Sequence, residues 1–161
     1  MKPLFLSLLL AISIFTAKAQ SPAIDKITTS YFSVKNALVA SNAALAKSRS
    51  AELLMALSAP VKGLKPAQEK LMATYINKLK YDSRHISETT VLAHQREHFQ
   101  SLSQNMVSLV SRLKLNTAAV YQQYCPMKKA SWLSESEDIR NPYYGDEMLE
   151  CGEVKATFKG K

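Results

Sequence analysis

Apolar residues along the first two-thirds of the chain recur at spacings of three and four. Ile24, Ile27, Tyr31, Val34 and Leu38 form the first such row, and that spacing places them on one face of a helix. Ser21-Pro22 supplies a start, with Pro22 in the first turn, where its missing N–H costs nothing. Ser41 and Asn42 are capping residue types ahead of an alanine-rich run with Leu45, Leu53, Leu54 and Leu57, which continues to Pro60. The pattern leaves open whether these are two helices or one long rod. Gly63 and Pro66 mark a turn and a new start. A third helix is expected from about Pro66 to Tyr81, with Leu71, Tyr75, Ile76 and Leu79 inward, after which Asp82-Ser83-Arg84 loosens the apolar row. The fourth and longest is expected from about Glu88 to Leu115. Its seam of Leu92, Phe99, Leu102, Met106, Leu109 and Leu113 is close to a heptad repeat, and Asn116-Thr117 ends it. Four amphipathic helices joined by short turns predict a mainly α fold, an antiparallel helical bundle.

Beyond these helices the period changes. Ala119-Val120-Tyr121 is β-prone, Cys125-Pro126 is a breaker, and Asn141-Pro142-Tyr143-Tyr144-Gly145 is a strong turn signal. Glu153 to Phe158 alternates polar with apolar (Val154, Ala156, Phe158), as a half-buried strand does. Residues 119–161 are therefore expected to fold as a small irregular or β-containing cap on the bundle. Trp132, Tyr143 and Tyr144 would be its apolar body.

The N-terminus changes the picture of where this domain works. Lys2, the apolar run Leu4 to Phe15 and the small-x-small triplet Ala17-Lys18-Ala19 have the three-part form of a secretory signal, residues 1–19. The run is too short to span a bilayer. Cleavage there would leave residues 20–161 as one helical domain, periplasmic or secreted. It would also remove Lys2 and Lys18, taking the formal charge from +8 to +6. The basic residues are dispersed rather than gathered into a patch, which argues against a nucleic-acid partner.

Both cysteines, Cys125 and Cys151, lie in the cap. In an oxidising compartment two thiols default to a disulfide. Their neighbours suggest a second use. Cys125-Pro126-Met127 sets a thiolate and a thioether two residues apart, and Met148 and Cys151 are three apart, on one side of any helical turn. Such sulfur donors select soft ions, Cu(I) and Ag(I) foremost, and the thioethers count against zinc. Upstream, His94 and His98 in HQREH share a helix face. They are candidate extra ligands, able to aim at the cap, although Gln95 stands where the HExxH protease motif needs Glu. His85, near a helix start, carries little weight by itself. No GxSxG elbow and no Gly-rich phosphate loop is present, and no nucleophile, base and oxyanion donor assemble, so the expectation is a binding protein and not an enzyme.

The sequence YCPM, then WLS, then I-x-NPYYG-x-x-M-x-x-CG, with HQREHFQSLSQNM and YFSVKNALVASNAALA upstream, resembles an uncharacterised domain family of secreted proteins from Bacteroidetes-like bacteria. The same domain occurs fused to CusB-type periplasmic adaptors of copper/silver efflux pumps. The resemblance implies a helical domain tied to periplasmic heavy-metal handling, with an efflux adaptor or another metal-handling protein as partner. Its metal ligands would be Cys125, Met127, Met148 and Cys151, with His94 and His98 in support. Tyr124-Cys125-Pro126-Met127 is also similar to the YxCPMHP motif of small heavy-metal-binding modules, although Lys128 replaces the histidine. Two expectations stay open: a Cu(I)/Ag(I) site, or a structural and interaction module stapled by a Cys125–Cys151 disulfide without metal.

Overall fold

The computed structural model describes residues 22–160; the expected signal, residues 1–19, lies outside them. The order is α1 (Pro22–Val39), α2 (Ala43–Ser58), α3 (Pro66–Glu88), α4 (Leu92–Leu113), β1 (Val120–Cys125), β2 (Ala130–Ser134), a single 3-10 turn (Gly145–Glu147) and β3 (Glu153–Phe158). The helices pack in sequence order, α1 on α2, α2 on α3 and α3 on α4. The expected bundle with a small β-containing cap is thus the observed fold. Among the described residues no helix is long and apolar enough to cross a membrane.

α1 and α2 are separate helices. The chain turns at Ser41, whose φ is 50°, and Asn42 caps α2 by accepting a hydrogen bond from the Leu45 N–H at 2.9 Å. The third boundary differs from expectation. α3 continues through Asp82-Ser83-Arg84 to Glu88, and α4 begins only at Leu92. Asp82 and Ser83 are polar but buried; the first contacts a neighbouring helix through its side chain, the second through its backbone. Asp82 meets His98 on α4, and the Ser83 carbonyl accepts from Ser50 Oγ on α2 at 2.8 Å. A buried face written in polar residues interrupts the apolar row without interrupting the helix.

The cap is a three-stranded antiparallel sheet in the order β2-β1-β3. Its inner residues join the core of the bundle: Trp132 and Leu133 are fully buried, and Tyr143 nearly so. Tyr143 packs 5.9 Å from the Phe99 ring, which in turn stacks on Tyr31 at 5.4 Å. Tyr31 OH hydrogen-bonds Ser103 Oγ on α4 at 2.6 Å and accepts from the Leu133 N–H at 3.2 Å. One α1 side chain thereby ties α4 to β2, and burial pushes its phenol well above the ordinary range. Lys35, only 3% exposed, adds an ion pair to Glu135 Oε2 at 2.9 Å. A third tie is Arg96 on α4, which donates to the carbonyls of Leu38 and Pro142 and to Ser41 Oγ. Gly145 lies against the same knot at φ +58°, where a Cβ would stand 2.5 Å from Ser41 Oγ and 2.7 Å from Arg96 Nη2; this position requires glycine.

Candidate functional site

The antiparallel register builds the first group of candidate ligands. Tyr124 on β1 pairs with Glu153 on β3, so the residues that follow Tyr124 and precede Glu153 run side by side. Cys125 and Cys151 meet there with Sγ atoms 3.4 Å apart, both as free thiols. Cys125 is fully buried and Cys151 half-buried. Asn141, itself buried, organises this end of the cap. Its amide donates to the Cys151 carbonyl at 2.8 Å, its side-chain oxygen accepts from the Tyr143 N–H at 2.9 Å, and its backbone N–H bonds Leu149 O at 2.8 Å. The NPYYG segment is thus an Asx turn wrapped around the second cysteine. Gly152 allows the close approach, since a Cβ there would fall 2.8 Å from the Trp132 ring.

The thiols are not equivalent. Burial, the largest influence on Cys125, raises its pKa. Hydrogen bonds from the Lys128 N–H (3.4 Å), the Cys151 thiol, Asn141 and the Met127 N–H outweigh that, and the net direction is down. Cys151, which donates to Cys125 as the thiolate forms, moves up. One sulfur is held toward thiolate and the other serves as its proton-bearing neighbour. Met127 on the β1–β2 turn is 65% exposed and Met148 is 36% exposed. Neither thioether is packed into the core.

A second group forms on the far side of α4. His94 and His98 face α3, where His85 joins them. One ligand atom from each of the three lies within 4.8 Å of the other two, and this group includes neither thiol. The candidates expected to act together therefore fall into two groups, thiols in the cap and imidazoles in the α3–α4 hairpin. The His85 and His98 rings are stacked at 4.6 Å with planes 8° apart, and His94 stands edge-on to His98 at 4.7 Å. Asp82, 3% exposed, holds His98 Nδ1 through Oδ1 at 3.1 Å. The Tyr81 ring covers His85 from 4.3 Å.

Asp82 is a site residue that reading along the chain leaves out, and His85 one that it discounts. The signal that finds them is symmetry about the helix turn. Asp82 and His98 are each eight residues from Thr90, and His85 and His94 are five and four residues from it. In an antiparallel helix pair, positions equidistant from the turn face each other. Ending α3 at Tyr81 and starting α4 at Glu88 hides that relation.

With both groups described, comparison with known proteins adds one result. Residues 27–118 match the model of a family described as a protein of unknown function, DUF3347. That is more than half of the chain. The chain belongs to the DUF3347 family. The DUF3347 match takes in α2, α3, α4 and most of α1, and so contains Asp82 and all three histidines; it ends before β1, leaving Cys125, Met127, Met148 and Cys151 outside it. No curated protein and no solved structure matches the chain.

Proposed function

We propose that this DUF3347 member is a soft-metal-binding protein, not an enzyme, that holds Cu(I) or Ag(I) at the sulfur group of its cap. The observation that carries this reading is the 3.4 Å approach of Cys125 Sγ to Cys151 Sγ in a reduced pair, one thiol of which is biased toward thiolate. Two thiolates are enough for a low-coordinate Cu(I) site, and the exposed thioethers of Met127 and Met148 are within the same cap to complete it. Asn141 and Gly152 would fix the position of Cys151 before the ion arrives. The signal-like N-terminus and the resemblance of the tail motif to a domain fused to copper/silver efflux adaptors support a periplasmic or secreted location, and an efflux adaptor or similar metal-handling protein as the exchange partner.

Titration of reduced protein with Cu(I) against a competing chelator tests this. Wild type should bind one equivalent, with the Cys125→Ser/Cys151→Ser variant weakened at least about 100-fold. Equal affinity in the two proteins refutes the reading.

The same separation favours a second reading, a disulfide that staples β1 to the segment before β3. Sulfurs at 3.4 Å need only small side-chain rotations to reach the bonded distance of about 2.05 Å. Protein purified without reductant and lacking free thiols, with no Cu(I) uptake after reduction, establishes the staple instead. A reducible bridge that gates metal uptake would show both the bond and the uptake.

A further inference from the structure

The histidine group in the α3–α4 hairpin calls for its own account, because imidazole and thioether ligands do not select the same ions. We propose that His85, His94 and His98 form a separate site for a borderline divalent cation of the Zn2+, Cu2+ or Ni2+ class, with Asp82 as its positioning residue. Three observations converge on it.

The donors are already gathered, one atom from each ring lying within 4.8 Å of the others. A tetrahedral ion with bonds of about 2.0–2.1 Å requires ligand nitrogens roughly 3.3 Å apart. Closing that gap takes rotation of side chains, and His94 is exposed. Next, His98 is oriented as a ligand and not merely placed near the others. Its Nδ1 is engaged by the Asp82 carboxylate, an acceptor that calls for the proton on Nδ1 and leaves the lone pair on Nε2. A carboxylate–histidine pair of this kind is the usual support behind a metal-bound imidazole. Asp82 is itself buried at a position where a charge needs a use. Finally, the local charge suits a cation. The carboxylate of Asp82 contacts His98, and that of Glu97 lies 3.9 Å from His94 Nδ1. Three protein ligands leave one position of a four-coordinate ion open to water or to a donor from another molecule, the arrangement of an exchangeable site rather than a closed structural one.

This site stands whether or not the cap binds a soft ion, because its donors are nitrogens on helices and its ions are of another class. The rival account is local. Asp82 and His98 would form an ion pair inside the hairpin, with His85 stacked on it by packing alone.

Tag-free Cys125→Ser/Cys151→Ser protein titrated with Co2+ and Zn2+ separates the two accounts, since the cap can then supply no thiolate. The site requires one equivalent of Co2+ with visible absorption of reduced coordination number and no thiolate charge-transfer band, displaced by Zn2+. His94→Ala should weaken binding at least tenfold and His85→Ala similarly; both side chains are partly or fully exposed, so folding, checked by circular dichroism, is retained. Asp82→Asn, isosteric but uncharged, should weaken Zn2+ by about 10–100-fold without removing any ligand. Undiminished Zn2+ affinity in His85→Ala or His94→Ala overturns the site. Loss of thermal stability in Asp82→Asn with unchanged Zn2+ affinity overturns the positioning role and leaves Asp82 an ion-pair partner only.

Discussion

Asn141 shows how much one side chain can be asked to do in a cap this small. It satisfies the Cys151 carbonyl and the Tyr143 N–H at once, from a fully buried position. Asn141→Ala leaves both groups unpaired away from water, and each such loss costs about 1–3 kcal/mol. Urea denaturation should show destabilisation by about 2–4 kcal/mol. Cu(I) affinity should fall as well, although no proposed ligand is removed. Gly145 is the complementary case, a position defined by what it lacks. With φ +58° and neighbours 2.5 and 2.7 Å from any added Cβ, Gly145→Ala must displace Arg96 or Ser41, and about 2 kcal/mol should disappear from the unfolding free energy.

Among elements, the helices were readable from the sequence and the sheet only in part. Apolar spacing locates α1, α2 and the body of α4 because their inward faces carry apolar rows such as Ile24-Ile27-Tyr31, Leu53-Leu57 and Phe99-Leu102-Met106. It fails at the end of α3, where the inward residues are Asp82 and Ser83, and that failure is what hid His85 and Asp82 as site residues. β3 announces itself by alternation, and the NPYYG turn by composition. β2 does not, because Ala130, Trp132, Leu133 and Ser134 are all buried and such a strand has no alternating period to read. That Cys125 meets Cys151 depends on strand register, which no local pattern encodes. The joint between α1 and β2 carries its own test. Lys35 is 3% exposed and pairs with Glu135 at 2.9 Å. Burial, the largest influence on Glu135, raises its pKa, but hydrogen bonds from Asn36 and Lys35 bring the net value below the ordinary one. A carboxylate lowered on folding stabilises the fold fully above its unfolded pKa and loses that contribution as pH falls through the lowered folded value. Glu135→Gln should therefore destabilise by about 1–3 kcal/mol at pH 7, toward the smaller figure because Glu135 is partly in water. The difference from wild type should vanish in melts run below the carboxylate range.

At the scale of the whole molecule, bundle and cap form one core and not two modules side by side. Phe99, Tyr31, Tyr143 and Trp132 make a continuous aromatic chain from α4 and α1 into the sheet. A chain cut after Ala118 should keep helical circular dichroism but lose its sharp thermal transition and bind hydrophobic dyes, because Tyr31 and Phe99 would face water. Oxidation of the thiols would act on the entire fold. Closing a loop between residues 125 and 151 removes unfolded-state entropy equivalent to about 3–4 kcal/mol as an upper value. A melting point about 10 °C higher in the oxidised than in the reduced form is expected.

The ties between α1 and the cap also set a timetable. Tyr31 to Leu133, Lys35 to Glu135 and Ser41 to Asp146 are separated by 102, 100 and 105 positions along the chain, whereas the α3–α4 hairpin closes over a few residues at Thr89-Thr90-Val91. Short loops close quickly and long ones late. The imidazole cluster belongs to the early part of folding; the thiols are only 26 positions apart, but the ties that seat the cap on the bundle form only once the first helix has found the last strands. In a refolding experiment, far-ultraviolet signal should recover before Cys125 becomes protected from alkylation. Simultaneous recovery of the two would mean that the cap assembles with the helices in a single step.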